Sequence, residues 1–337
     1  MFSQNKFYNK YFWDFYPQKN LIYNKFINNV VNNYELYETH CECNIVPGND
    51  ILLLEKDRHN YSCDIVICKN CGIIRQKKYF LDDDLSKIYN NDYRKYFEGK
   101  IDKKLFFNNQ YLSSLDAWNI IEQYCNLKRK KLKICDLGGG AGGFLKKYSQ
   151  YHDCYLVDFD KSFFNIAKNN NINSILGDSR NIIEKGLKFD LIILSHVVEH
   201  FNNLKNEFLS IEKICKPGSV IFIEVPGVDS IKKGRRYGEF LGDVQIFHKY
   251  YFTSYTLSNF LQNFNFKVAY SDSVARLILI YNPKIENTLN KNLNNIYLKV
   301  IKDVNLNIFY RFFYRYKIFI GSLLPNSLKK MIKKIIS

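Results

Sequence analysis

The sequence predicts an α/β fold: a mostly parallel sheet of seven strands with helices on both faces, preceded by a small cysteine-bearing ribbon and followed by a helical tail. Three observations predict it. Between about residues 131 and 283, apolar strand-like runs alternate with helical stretches, the pattern of a sheet covered on both sides. The first of those runs breaks into glycines spaced Asp136-x-Gly138-x-Gly140-x-Gly142, as a buried strand does when it turns sharply into a helix and its backbone must approach a ligand. Upstream, five cysteines cluster between Cys41 and Cys71.

Taken in order, residues 1–36 are rich in Asn, Tyr and Phe without clear periodicity and read as an arm. Residues 37–81 carry Cys41-x-Cys43 and Cys68-x-x-Cys71-Gly72 around the strand-like segment ILLLEKDRHNYSCDIVIC. Four thiolates so spaced can hold a closed, tetrahedral structural Zn2+. The first pair is tighter than the usual gap of two to four residues. His40 or Cys63 is therefore an alternative ligand, and ordinary free cysteines are the other reading. Cys125, Cys135, Cys154 and Cys215 sit in apolar settings and are expected to pack. From 82 to 130 the spacing turns helical, with Asp82 to Asp84 suited to a helix N-terminus. Tyr89, Tyr93 and Tyr96 lie at helical spacing there, which favours core over crevice.

In the 131–283 domain, strands are expected near 132–136, 154–158, 174–176, 189–195, 219–225, 266–271 and 275–281. CYLVDFD, ILGDSR, FDLIILSHVVEHF and KPGSVIFIEVPG each run from an apolar strand into a polar residue. In such sheets ligands bind beyond the carboxyl ends of the strands. Asp158 follows Asp136 by 22 residues, near the offset of a ribose-binding acid, a spacing that equally admits a nicotinamide cofactor. Beyond 283, Arg311, Arg315, Lys317 and the stretch Lys329 to Lys334 form a basic, aromatic, amphipathic tail. It would lie on an anionic membrane surface or pack as a helix with a solvated lysine face.

The net charge of +16 suits nucleic acid, anionic lipid or a phosphorylated substrate, and an A/T-rich codon bias toward lysine gives the same excess. No secretory signal or uncharged run of about 18 residues is evident, so a cytoplasmic protein with reduced thiols is expected.

With the G-x-G-x-G turn preceded by Asp136 and the SHVVEH segment at 195–200, the chain resembles the class I S-adenosylmethionine-dependent methyltransferases over roughly residues 131–282, a Rossmann-like fold. The resemblance implies that the last two strands pair antiparallel at the sheet edge. It assigns the amino-acid end of the cofactor to Asp136, Gly138, Gly140 and Gly142, the ribose to Asp158 and the adenine flank to Asp178. Phe159, Ser179, Ser195 and His196 complete the expected cofactor set.

Methyl transfer from a sulfonium needs in-line placement of the acceptor, and a hydroxyl or carbon acid also needs a base, for which histidine is suited. His200 with Glu199 is the first candidate and His248 the second; a loop-holding role is the alternative for His200. Arg235 and Arg236, in the insertion after the fifth strand, could grip a phosphate. The absence of an Asn/Asp-Pro-Pro-aromatic run after the fourth strand argues against methylation of base amino groups. Ribbon, core and histidine-bearing loop together resemble methyltransferases of sugars, nucleotide-sugars or surface-glycan precursors, and oxygen is the expected acceptor because the longer sugar C-methyltransferases carry an additional C-terminal domain. The expected partners are a small-molecule or glycan substrate, not nucleic acid, and the inner membrane face through the tail. An RNA or protein methyltransferase is the alternative enzyme. A non-catalytic scaffold is the alternative from another class, and the intact Asp136, Asp158 and Asp178 count against it.

Overall fold

The computed structural model describes residues 21–43, 49–88, 92, 96, 102–128, 131–233, 239–284 and 296–304. The chain begins with α1 (Leu21–Asn33), β1 (Tyr37–Glu38), the antiparallel pair β2 (Asp50–Lys56) and β3 (Ser62–Cys68), then β4 (Ile74–Gln76) and β5 (Lys78–Tyr79). β1 pairs with β5, and β4 with β3. Two helices follow: α2 (Asp82–Lys87) and α3 (Lys103–Tyr124). Asp102 caps α3 by accepting from the backbone N–H of Lys104 and Leu105, satisfying donors that a helix start leaves open.

The large sheet is built from β6 (Lys133–Leu137), β7 (Asp153–Asp158), α4 (Phe164–Asn169), β8 (Ile172–Leu176), α5 (Ser179–Glu184), β9 (Phe189–Ser195), α6 (Leu204–Ile214) and β10 (Cys215–Glu224). After β10 come β11 (Tyr250–Tyr251), α7 (Ser254–Leu261), β12 (Phe266–Ser271), β13 (Arg276–Tyr281) and α8 (Ile296–Val304). The seven strands run in the order β12-β13-β10-β9-β6-β7-β8. β13 is antiparallel to β10 and β12, and the other pairings are parallel. This is the expected Rossmann-like sheet with its antiparallel edge.

The central strands carry unbroken apolar runs, Leu191–Leu194 in β9 and Val220–Ile223 in β10, because both faces are covered there. Ile192, Leu194, Ile221 and Ile223 face a core shared with α5, α6 and α7. Their alternates Leu191, Ile193, Val220 and Phe222 face a second core under α3 and α4. Period-two alternation thus sorts consecutive apolar residues to opposite helical layers.

The segment after β10 does not stay with the large sheet. β11 pairs antiparallel with β4, Tyr250 opposite Arg75, which makes a four-stranded sheet β11-β4-β3-β2. A third core binds Ile65, Ile67 and Ile74 of this sheet to Val228, Phe240, Val244 and Tyr251, and to Val300, Ile301 and Val304 of α8. The start of the expected tail is therefore packed helix. Tyr96 packs beside Phe26 at a ring separation of 5.8 Å, on the core side of the alternatives. The arm before residue 21, Tyr89, Tyr93, Arg235, Arg236 and the tail beyond residue 304 lie outside the described residues. Among the described residues no helix is long and apolar enough to cross a membrane.

Candidate active site

At the carboxyl end of β6 the turn runs through Gly138, Gly140 and Gly142, with φ of +72°, +60° and +82°. Side chains rarely adopt that region, and a Cβ on Gly138 would stand 2.7 Å from the Val197 side chain. Two carboxylates flank the turn. Asp158, at the end of β7, accepts from the Gly140 N–H at 2.8 Å and from the Asp160 N–H at 2.7 Å. Asp136 is 2% exposed, and its Oδ2 has no hydrogen-bond partner among the described residues. Burial, and then the charge of Asp158, pushes its carboxyl up to about 8. Burial also raises Asp158. A buried carboxylate with an unpartnered oxygen beside a second carboxylate favours a cationic ligand, and the ammonium and sulfonium of S-adenosylmethionine fit that demand.

Gln110 of α3, which the sequence reading did not single out, pins the same turn. Its Nε2 donates to the Gly139 carbonyl at 3.1 Å, and its Oε1 accepts from the N–H groups of Ala141 and Gly143, each at 3.2 Å. Gly143 permits this approach, since a Cβ there would lie 2.1 Å from the Phe107 carbonyl oxygen.

The remaining expected cofactor residues lie around these. Phe159 is exposed next to Asp158. The Gly177 N–H donates to the Asp158 carbonyl at 3.1 Å, which sets the end of β8 beside that of β7. Asp178 caps α5, accepting from the Arg180 N–H at 2.8 Å and pairing with the Arg180 guanidinium, while Ser179 is buried against Glu207. Ser195 ends β9 opposite Glu224 of β10. His196 follows with φ of +57°, in the left-handed region uncommon for a side-chain-bearing residue, its N–H donating to the Glu224 carbonyl at 2.7 Å.

One turn further, Glu199, His200 and His248 converge, with their ligating atoms all within 4.8 Å of one another. Glu199 is 1% exposed, and neither of its carboxylate oxygens accepts a hydrogen bond. His196 Nδ1 lies 3.5 Å from Glu199 Oε1, an ion pair when that ring is protonated. His200 Nδ1 sits 2.8 Å from the Phe247 carbonyl. A carbonyl only accepts, so Nδ1 carries the proton and Nε2 the lone pair. The His200 and His248 rings meet edge to face, centroids 4.7 Å apart.

The N-terminal module holds this corner. Gln76 of β4, 1% exposed, directs its amide N–H groups at the carbonyls of Gln245, Ile246 and His248, 3.1, 2.9 and 2.8 Å away. The Tyr79 hydroxyl donates to the same Phe247 carbonyl at 2.8 Å. Lys249 is buried and pushed down to about 8 by desolvation; its ammonium donates to Asn202. No local pattern marks Gln76 or Tyr79, because their partners lie far along the chain.

Cys41, Cys43, Cys68 and Cys71 also meet, all four sulfurs within 4.8 Å of one another. Cys41 and Cys71 are 3.3 Å apart, and Cys43 and Cys68 3.8 Å. Tetrahedral Zn–S bonds of about 2.3 Å give sulfur separations of about 3.8 Å. Hydrogen bonds from the other thiols, Cys41 first, hold Cys68 well below the usual thiol range. His40 and Cys63 are not in the set; Cys63 is buried in the third core. Glu42, between the first two cysteines, accepts from the N–H groups of Leu204 and Lys205 at 3.0 and 2.7 Å and so caps α6 of the large-sheet domain.

Residues 109–271, just under half of the chain, match the family described as Methyltransferase domain. A human protein described as "Probable tRNA methyltransferase 9B" is 28% identical over 120 residues, 34% of this chain and 26% of that protein. Its mouse counterpart is 27% identical over 124 residues, 36% of this chain and 27% of that one. The chain thus spans about a quarter of the length of these curated relatives. Among solved structures, the plantazolicin methyltransferase BpumL with a desmethylPZN analog and SAH has a TM-score of 0.43 at 18% identity, covering 59% of this chain and 94% of that one. The PH0226 protein of Pyrococcus horikoshii OT3 has a TM-score of 0.42 at 19% identity, covering 58% and 99%. Both likenesses are distant. Residues 109–271 are thus similar to a methyltransferase domain, and the strand order and the Asp136 to Gly142 turn agree with that match.

Proposed function

We propose that this methyltransferase acts on a hydroxyl of a sugar, nucleotide-sugar or surface-glycan precursor, with Glu199, His200 and His248 at the acceptor end of the crevice. The observation that carries the reading is the enclosure of that corner: Glu199 and His248 are 1% and 8% exposed, beside the four-stranded sheet β11-β4-β3-β2. Such a recess suits a small acceptor better than a folded macromolecule. S-adenosylmethionine, when bound, supplies an electrophilic methyl group, and Asp136, Asp158 and the glycine turn are the residues that would hold it. His200, with its proton committed to Phe247, presents the Nε2 lone pair to an acceptor O–H, and the buried Glu199 carboxylate steadies the positive charge that the ring gains. The four cysteines hold a structural Zn2+ in this reading, and the basic tail rests on the inner membrane face, where a surface-glycan precursor would be found.

A second reading has an RNA acceptor, favoured by the similarity to "Probable tRNA methyltransferase 9B" and by the net charge of +16. Transfer of labelled methyl from S-adenosylmethionine separates the two. Incorporation into a panel of nucleotide-sugars, lost in His200→Ala, supports the first reading. Incorporation into RNA alone, with binding that weakens steeply with salt, replaces it by the second.

A further inference from the structure

We infer that Glu199, His200 and His248 form a binding site for a first-row divalent metal ion, separate from the four cysteines. The three side chains offer one carboxylate oxygen donor and two imidazole nitrogens within 4.8 Å of one another, so a shared ion lies within reach of all three. Two imidazoles with one carboxylate, leaving positions open, suit Fe2+, Co2+ or Zn2+ better than Mg2+ or Ca2+. Glu199 and His200 each show a second sign of ligation.

Glu199 is 1% exposed, and among the described residues neither carboxylate oxygen accepts a hydrogen bond, a costly state for a buried anion that His196 Nδ1, 3.5 Å from Oε1, offsets only when protonated. A bound cation would supply the missing partner. His200 donates its Nδ1–H to the Phe247 carbonyl at 2.8 Å, the outer-shell contact that metal-ligating histidines use to fix their tautomer and aim the other nitrogen. His248 is 8% exposed, and the Gln245 side-chain amide engages its Nε2. Gln245 Oε1 accepts from Arg58, which turns the amide N–H groups toward that nitrogen, so ligation of a metal by His248 requires the Gln245 amide to rotate and accept from the ring N–H. Gln76 and Tyr79 lock the carbonyls of this loop, so the set is held by an ordered outer shell rather than by chance proximity.

The inference rests on the reading of this corner as the acceptor end and changes how the acceptor is activated there. A cation would hold the acceptor oxygen as a Lewis acid and lower its pKa so that its proton passes to solvent water, and His200 would serve as ligand in place of base.

The test uses the full chain, stripped with chelator, dialysed against Co2+ and assayed for bound metal. Wild type is expected to hold one equivalent of Co2+ more than the His200→Ala/His248→Ala variant. The extra ion should lack the intense thiolate-to-metal absorption of cysteine-bound cobalt. Glu199→Gln, which keeps the volume of the side chain, should weaken that equivalent at least tenfold, guarding against misfolding of the double variant. Equal Co2+ content and spectra in wild type and both variants overturn the site. S-adenosylmethionine titration runs in parallel: retained cofactor binding with lost Co2+ assigns the loss to this corner. Failure of wild type to bind S-adenosylmethionine would sink the methyltransferase reading and leave the metal count standing by itself.

Discussion

The two ends of the crevice are built in opposite ways. The cofactor end is made by neighbouring strand ends of one sheet: a glycine turn after β6, Asp158 closing β7 and Asp178 opening α5. The proposed acceptor end is assembled from three distant parts of the chain, the Val198–His200 turn, the Gln245–His248 loop, and Gln76 with Tyr79 from the N-terminal module. The first depends on backbone conformation that glycine permits. The second depends on long-range hydrogen bonds that hold only while the N-terminal module is folded. The two ends should therefore fail separately when perturbed.

The hardest break comes from the cysteines. A structural Zn2+ of this ligand type is worth on the order of 10 kcal/mol of folding free energy. Cys68→Ser with Cys71→Ser is expected to lose bound zinc, lower the melting temperature and disorder the His200–His248 pair, as read by histidine NMR. S-adenosylmethionine affinity should change by less than about threefold, roughly 0.7 kcal/mol. An equal collapse of cofactor binding would show that the two ends are one cooperative unit.

Gln76 gives a smaller, sharper probe. Gln76→Leu keeps the bulk but removes the donor to the loop carbonyls, and orphaning such buried acceptors costs about 1–3 kcal/mol. The loop should gain amide exchange around His248, with no change at the glycine turn. Protection unchanged at residues 245–248 would mean that the β4–β11 pairing alone holds them.

A separate effect is a pH dependence confined to the cofactor end. Asp136 is pushed up to about 8 in the folded protein, above the unfolded aspartate value of about 3.9. Between those values the folded state keeps a proton that the unfolded chain has released. The stability from this group is thus full below the unfolded value and is lost as the pH rises through about 8. A cationic ligand prefers the carboxylate, so S-adenosylmethionine affinity should rise toward pH 8 by up to about tenfold per unit. Asp136→Asn should flatten both profiles, and titrations at several pH values would detect a failure to do so.

The contrast between the ends also explains what was legible in the sequence. Strand positions follow from apolar runs and a glycine turn, which are local signals, whereas the antiparallel edge pair is an implication of the family resemblance. The expected strand at 189–195 is β9 to the residue, because its run Leu191–Leu194, buried on both faces, is apolar without interruption. Glu199, His200 and His248 were each marked by residue type, yet nothing local showed that they meet. Gln110 looks like any polar residue on a helix until its bonds to the turn are seen. No strand is expected at 250–251, yet Tyr250–Tyr251 becomes β11, which completes the N-terminal sheet, since the exposed edge of β4 finds its partner through tertiary contact. Asp178 is an acid at a strand end, as expected, and its carboxylate also caps its own helix and pairs with Arg180.

The most direct test of the central assignment is calorimetric titration of S-adenosylmethionine and NAD into the wild-type protein and into Asp158→Ala. Two charge-assisted hydrogen bonds to a ribose, at about 1.5–3 kcal/mol each, predict a loss of at least a hundredfold in S-adenosylmethionine affinity, with no binding of NAD to either protein. Selective binding of NAD, or equal S-adenosylmethionine affinity in both proteins, would contradict the account.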